Sequence, residues 1–259
     1  MLYAKNALAK TKIIAYLGSS KKLSVKMKTS KRKILGVLGG MGPMATVDFL
    51  AKLTKATPAS RDQEHIPIIV RFCPQIPDRS DAIEGRGLSP QGVLEAEALK
   101  IERDGAQALV IPCNTAHFWF EPIARRLSIP VLHIADAVVE QLPAHLRATP
   151  VGLVATRGTL RSAIYQARHP DIHWIAPSSE TVENDVMPAI RCVKAGRFSD
   201  AAMFLNRAIE ELQGAGAASV VLGCTELPLA YQAHNNRLHV VDATEALARG
   251  AVRWAIGGE

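Results

Sequence analysis

From Lys33 onward, short apolar runs alternate with stretches of helical period, the pattern of strand–helix units in a parallel sheet. The runs predict eight strands: 34–38, 66–72, 108–112, 131–134, 151–155, 172–176, 219–222 and 238–241. Between them, apolar positions recur at i, i+4 and i+7. Leu94, Ala98 and Ile101 form one such stripe, with Gly105 placed to end the helix. Leu205, Ile209 and Leu212, followed by Gly214, form a second, and Leu247, Ala251 and Trp254 a third.

The eight strands divide into two matching sets of four. Gly36-Val37-Leu38 with Gly42 mirrors Gly152-Leu153-Val154 with Gly158, each pair of glycines six apart. Gly105-Ala106, a strand and Cys113 mirror Gly216-Ala217, a strand and Cys224, and both intervals are eight residues. The run from Val131 to Asp136-Ala137 resembles that from Leu238 to Asp242-Ala243. Three matches in the same order predict two similar α/β lobes. Parallel α/β sheets present ligands at the carboxyl ends of their strands. Cys113 and Cys224 fall there, one per lobe, so lobes that face each other place two thiols on one cleft.

Composition limits what the chain can be. Its 259 residues are 48% apolar and 21% charged, which gives a substantial core and excludes wholesale disorder. Four cysteines are too few for a disulfide scaffold, and no apolar run reaches the ~18 residues of a membrane helix. The formal charge of +7 resolves into two parts. Residues 1–33 carry ten basic side chains and no acid, leaving 21 basic against 24 acidic residues, a net of −3. The basicity belongs to a tail, residues 1–32, read as a disordered extension. Met27 stands as an alternative initiator, and a transit peptide or a polyanion-binding arm stays open for this tail. Elsewhere the basic residues are scattered and not interleaved with aromatics, which argues against nucleic acid as a partner.

Candidate chemistry centres on the two cysteines. A lone Cys after a strand is often only a small buried hydrophobe, but here both thiols occupy the same place in duplicated units. Each is followed by short polar residues, Asn114-Thr115 and Thr225-Glu226, which with the local backbone N–H groups can bind a carboxylate and favour a thiolate. Opposed thiols suit inversion at a carbon bearing hydrogen: one removes a proton from one face and the other supplies a proton to the opposite face. An unperturbed thiol pKa of ~8.5 lets one be thiolate and its mate thiol after small shifts. Such chemistry requires no cofactor. A Cys113–Cys224 disulfide is disfavoured for an intracellular protein. Cys73 is read as strand packing and Cys192 as helix filling.

Gly40-Met41-Gly42-Pro43-Met44-Ala45 fits the dinucleotide fingerprint G-x-G-x-x-A. The acid expected at the end of the second strand is missing, since Asp62 and Glu64 precede that strand. An anion held by backbone N–H groups is the favoured reading of this loop. Arg79 follows a segment stiffened by Pro74 and Pro77, and Lys194 falls in the matching interval of the second lobe. Spacing alone leaves both open as surface charges. His117 and His133 are read as core or surface histidines, with a role as bases left open. No metal-ligand pattern is present: the sequence has no Cys-x-x-Cys and no His-Glu-x-x-His.

Several motifs together resemble the aspartate racemases of the cofactor-independent aspartate/glutamate racemase superfamily. They are Leu38-Gly39-Gly40-Met41-Gly42-Pro43, Arg61-Asp62-Gln63-Glu64-His65, Pro74–Arg79, Pro112-Cys113-Asn114-Thr115-Ala116-His117 and Gly223-Cys224-Thr225-Glu226. The resemblance runs from about Lys33 to Gly257. It implies two pseudo-symmetric lobes, each a mainly parallel four-stranded sheet flanked by helices, with the active site between them. The first lobe would span 33–131 plus 240–259, its C-terminal helix packing back on it, and the second 132–239. Cys113 and Cys224 match the paired acid/base thiols, and Arg79 and Lys194 the residues that bind substrate carboxylates. Asn114, Thr115, Ala116, Thr225 and Met41 match substrate-binding positions. The resemblance further implies an acidic amino acid as substrate, no pyridoxal phosphate or other cofactor, no metal, and a cytoplasmic homodimer. Glutamate racemases usually carry Asp-Ser-Gly after the first strand and Cys-Thr-His at the second thiol. Gly39-Gly40-Met41 and Cys224-Thr225-Glu226 favour the aspartate branch. A broad-specificity racemase, a maleate-type isomerase and a noncatalytic amino-acid-binding protein are the rival readings.

Overall fold

The computed structural model describes residues 32–231 and 238–257. All of the basic extension but Arg32, read as disordered, lies outside the described residues, Met27 included. Among the described residues eight strands form two four-stranded sheets. β1 (Leu35–Gly39), β2 (Ile68–Phe72), β3 (Ala108–Val110) and β4 (Val131–Leu132) make the first, in the order β2-β1-β3-β4. β5 (Val151–Val154), β6 (Trp174–Ile175), β7 (Ser219–Leu222) and β8 (His239–Asp242) make the second, in the order β6-β5-β7-β8. Every pairing is parallel. The identical strand order carries the repeat seen in the sequence into three dimensions: Val37 pairs with Val70 and Val110, as Gly152 pairs with Ile175 and Val220.

The inner strands are apolar on both faces because both faces are covered. β1, β3, β5 and β7 are fully buried. One core runs through both sheets, joining Leu35, Val37 and Val110 to Val151, Leu153 and Val221. The described residues form a single compact unit. The C-terminal helix, Ala243–Ile256, packs against the helices Pro43–Ala56 and Ile134–Gln141, and Leu247 and Ala251 are fully buried. A separate core lies on the outer side of each sheet. One holds Cys113 with Leu38 and Ile111; the other holds Cys224 with Val154 and Leu222.

Local signals explain most boundaries. Pro43 opens its helix at the first position, where its missing N–H costs nothing. The helix Gln91–Arg103 stops before Gly105, whose φ of 104° only glycine adopts freely. The helix Phe198–Gly214 includes Gly214, and the left-handed stop is Gly216. β4 ends two residues earlier than expected because His133 caps the next helix, its Nδ1 accepting the N–H of Ala135 at 3.1 Å. No helix among the described residues is long and apolar enough to cross a membrane.

His117 and His133 are core histidines, 3% and 7% exposed. His117 joins two segments. Its Nδ1–H donates to the Cys113 carbonyl at 2.9 Å, and its Nε2 accepts the N–H of Ile134 at 3.2 Å. That pairing requires the neutral ring, and burial pushes its pKa down to about 4. An unfolded histidine titrates near ~6.5, so between the two values the unfolded chain binds the extra proton. Stability contributed by neutral His117 is therefore complete above pH ~6.5 and declines as pH falls towards 4, by about 3 kcal/mol in all. Thermal melts from pH 7 to pH 4.5 should show Tm falling with acid. His117→Gln should flatten that slope, and an unchanged slope would remove His117 from the acid response.

Candidate active site

The two cysteines sit where the sheets end. Cys113 is three residues beyond the last residue of β3, and Cys224 two beyond the last residue of β7. Both border one chamber with Met41, Asp78, Arg79, Ser80, Asn114, Thr115, Thr156, Ile190, Lys194, Thr225 and Glu226. Eight of the nine residues singled out from the sequence line this chamber. The ninth, Ala116, is fully buried in the core, and it is its backbone N–H that bonds to Cys113. All four cysteines are free. Cys73 is buried just beyond β2 and Cys192 within the helix Met187–Lys194, both in apolar cores.

The cations arrive from opposite lobes. Asp78 caps the helix Arg79–Ile83, accepting the N–H groups of Ser80 at 2.8 Å and Asp81 at 3.0 Å. This turn aims Arg79 at the chamber. Its Nη1 donates to the carbonyls of Ile76 and Pro77, while Nε is buried with no hydrogen-bond partner among the described residues. Lys194 ends the helix Met187–Lys194 and reaches the chamber from the second lobe. Burial opposes the charge on Asp78, but the Asp81 N–H and the charges of Arg79 and Lys194 hold its carboxyl below the ordinary range.

A second orphan donor lies beside Cys113. The Tyr165 hydroxyl donates to Asn114 Oδ1 at 2.6 Å, and Nδ2 of Asn114 is buried without a partner among the described residues. Burial, then the neighbouring Cys224, raises the Tyr165 pKa and keeps the phenol a donor. Unmet donors in a buried site are costly. Arg79 and Asn114 both line the chamber. Thr115 is held in a ring of hydroxyls with Thr156 and Thr159 at 2.9–3.0 Å, a link from one lobe to the other.

Both thiols are pushed above the ordinary thiol range, and burial is the first cause for each. At Cys113 the Arg79 guanidinium opposes the shift and Glu226 adds to it. At Cys224 the neighbouring Glu226 carboxylate adds strongly, and Lys194 opposes. Cys224 Sγ donates to Glu226 Oε2 at 3.0 Å.

Asp78, Ser80, Thr156, Ile190 and Glu226 complete the lining; of these only Glu226 was named from the sequence, as helping to favour a thiolate, and its negative charge instead opposes one at Cys224. Asp78 and Glu226 were within reach of sequence reasoning, because each adjoins a selected residue within a quoted motif. The fingerprint glycines have packing tasks. A Cβ on Gly40 would stand 2.6 Å from the Cys73 backbone, and one on Gly42 would stand 2.7 Å from Glu226 Oε1. Among the described residues no group of three His, Cys, Asp or Glu side chains is placed to hold a metal ion.

Comparison with known proteins agrees with this geometry. The Asp/Glu/Hydantoin racemase family matches residues 38–251. The structure of Picrophilus torridus aspartate racemase superposes with a TM-score of 0.76 at 30% identity, covering 87% of this chain and 94% of that one. Among curated relatives, the broad specificity amino-acid racemase RacX of Bacillus subtilis is 26% identical over 232 residues, 85% of this chain and 96% of its own. The glutamate racemase of Deinococcus radiodurans is 29% identical over 194 residues, 70% of this chain and 60% of its own. The fold, the paired thiols at equivalent strand ends and the matched span agree: the chain belongs to the Asp/Glu/Hydantoin racemase family.

Proposed function

We propose that the protein interconverts L- and D-aspartate by proton transfer between Cα and two thiols. The observation that carries this reading is the placement of Cys113 and Cys224, one from each lobe, on a single buried chamber with unpaired donors. Arg79 and Lys194 anchor the two carboxylates of the substrate. Arg79 offers a planar fork with its Nε unmet, and Lys194 a point charge. One thiolate removes the Cα proton. Asn114 Nδ2 and the hydroxyls of Thr115 and Thr225 stabilise the charge that then spreads into the α-carboxylate. The opposite thiol delivers its proton to the other face, which inverts the carbon. No electron is transferred, and the two thiols exchange protonation states in each turnover.

The acidic side chain of aspartate fits the two cations, and the likeness to an aspartate racemase at 30% identity supports the same choice. A second reading, broad amino-acid specificity, has its own support. Met41 and Ile190 give the chamber an apolar wall, and the full-length likeness to RacX points the same way. The homodimeric state and cytoplasmic location of this proposal rest on the family likeness alone.

Racemisation followed by loss of optical rotation tests the assignment. Cys113→Ser and Cys224→Ser should each lower kcat/KM for aspartate by about 100-fold or more, the scale of a lost acid–base group. Full activity in either variant would remove that cysteine from the reaction. Arg79→Leu separates the two specificity readings. Loss of a charge-assisted bond should cost aspartate about 10- to 100-fold in kcat/KM, with a smaller loss for alanine. Equal losses for both substrates would favour broad specificity.

A further inference from the structure

Two-thiol racemisation, on which this inference rests, requires donors wherever negative charge gathers on the substrate. A carboxylate accepts hydrogen bonds and donates none. Asn114 borders the chamber, and its amide has two unlike ends. The oxygen repels a carboxylate, and the NH2 group binds one. The two ends have nearly the same shape, so packing alone does not choose between them. The choice falls to the group that holds the other end of the amide.

That group is Tyr165, from the second lobe. Its hydroxyl donates to Asn114 Oδ1 at 2.6 Å, which leaves Nδ2 buried without a partner among the described residues. Tyr165 is fully buried, and among the described residues its hydroxyl has no second hydrogen-bond partner. Turning the amide over would set NH2 against the phenol oxygen and leave the phenol O–H with no acceptor, a costly state in a buried site. Burial, then the nearby Cys224, keeps the phenol from ionising, so it stays a donor. The ring is held as well. It meets Trp174 edge-on with centroids 5.1 Å apart, and Trp174 Nε1 donates to the His169 carbonyl at 3.1 Å. Ala163, with φ 51° and ψ 31°, divides the helix Arg157–Ser162 from the helix Ile164–Arg168 that carries Tyr165. Alanine is strained in that left-handed region, and such strain gathers at functional sites.

We propose that Tyr165 is a positioning residue for racemisation, fixing the Asn114 amide so that its NH2 group, and not its oxygen, meets the substrate α-carboxylate. As Cα loses its proton, charge moves into that carboxylate, and the hydrogen bond from Nδ2 strengthens. Tyr165 acts only through Asn114 and does not touch the substrate. The Tyr165–Asn114 bond runs from the second lobe to the first, so the donor is set only when both lobes are in place. Packing alone gives no reason for the hydroxyl, because phenylalanine fills the same space with no polar group to satisfy.

Tyr165→Phe keeps the ring and its contact with Trp174 and removes only the hydroxyl. On the full chain, kcat for aspartate should fall about 10-fold, with KM changing less than about threefold, because the misplaced donor matters most in the transition state. Asn114→Ala should lower kcat/KM by about 100-fold, the scale of a lost oxyanion donor. The double variant separates positioning from support. With no amide left to orient, the hydroxyl has nothing to add, so kcat/KM should match that of Asn114→Ala within about twofold. Thermal melts of all four chains accompany the kinetics. In the Asn114→Ala background the phenol has lost its acceptor, so Tyr165→Phe should leave Tm unchanged or raise it. Losses that multiply in the double variant overturn the proposal, because the hydroxyl then acts without Asn114. So does a Tyr165→Phe chain that fails to fold, which marks a structural prop. An unaltered chain that racemises no amino acid overturns the racemase reading and this proposal together. An active unaltered chain with a Tyr165→Phe variant within about twofold of it overturns this proposal alone.

Discussion

Both thiols give up their water when the chain folds, and the surrounding groups are arranged about that loss. Burial alone would keep Cys113 and Cys224 protonated and inert. The chamber answers with cations, Arg79 against Cys113 and Lys194 against Cys224. Each cation comes from the segment between the second and third strands of its own lobe, at the start of one helix and the end of another. The duplicated fold is what lets two such sets converge. Two sheets of the same strand order bring equivalent strand ends to one space, and a shared core holds them there.

The duplication is close but not complete, and the differences fall on the thiols. Cys113 is followed by Asn114-Thr115, which supply an unpaired amide and a hydroxyl locked to the other lobe. Cys224 is followed by Thr225-Glu226, which place a carboxylate on its sulfur. A twofold site would treat the two faces of a carbon alike. This one gives each thiol a cationic neighbour but hydrogen-bonds only Cys224 to a carboxylate. His117 adds a further difference, tying the carbonyl of Cys113 to the start of the helix Ile134–Gln141.

Much of this was legible along the chain. All eight strands lie within or beside the apolar runs that predict them, because a parallel sheet buried on both faces needs continuous apolar strands. The equal intervals from Gly105 to Cys113 and from Gly216 to Cys224 mark the two strand ends that face each other. Asp78 and Glu226 adjoin selected residues, but Thr156 and Ile190 were not legible, for a physical reason. They come from segments that carry no motif, and only packing decides which side chains share a cavity. Arg79 and Lys194 show the same limit, since a charge on the surface and one that lines the chamber have identical spacing. The loop from Gly40 to Ala45 looks like a dinucleotide fingerprint because both need close backbone approach. Here the approach is to the Cys73 backbone and the Glu226 carboxylate.

The central claim is that two thiols exchange a proton with Cα of aspartate from opposite faces. Incubating L-aspartate with the protein in deuterated water, and following both enantiomers by chiral separation with mass detection, tests it most directly. The account predicts that D-aspartate formed early carries one deuterium at Cα, while recovered L-aspartate stays largely unlabelled, because the proton removed by one thiol is not the one delivered by the other. Deuterium entering L-aspartate and D-aspartate equally from the start would point to a single acid–base group. No exchange and no inversion with either enantiomer would contradict the account outright.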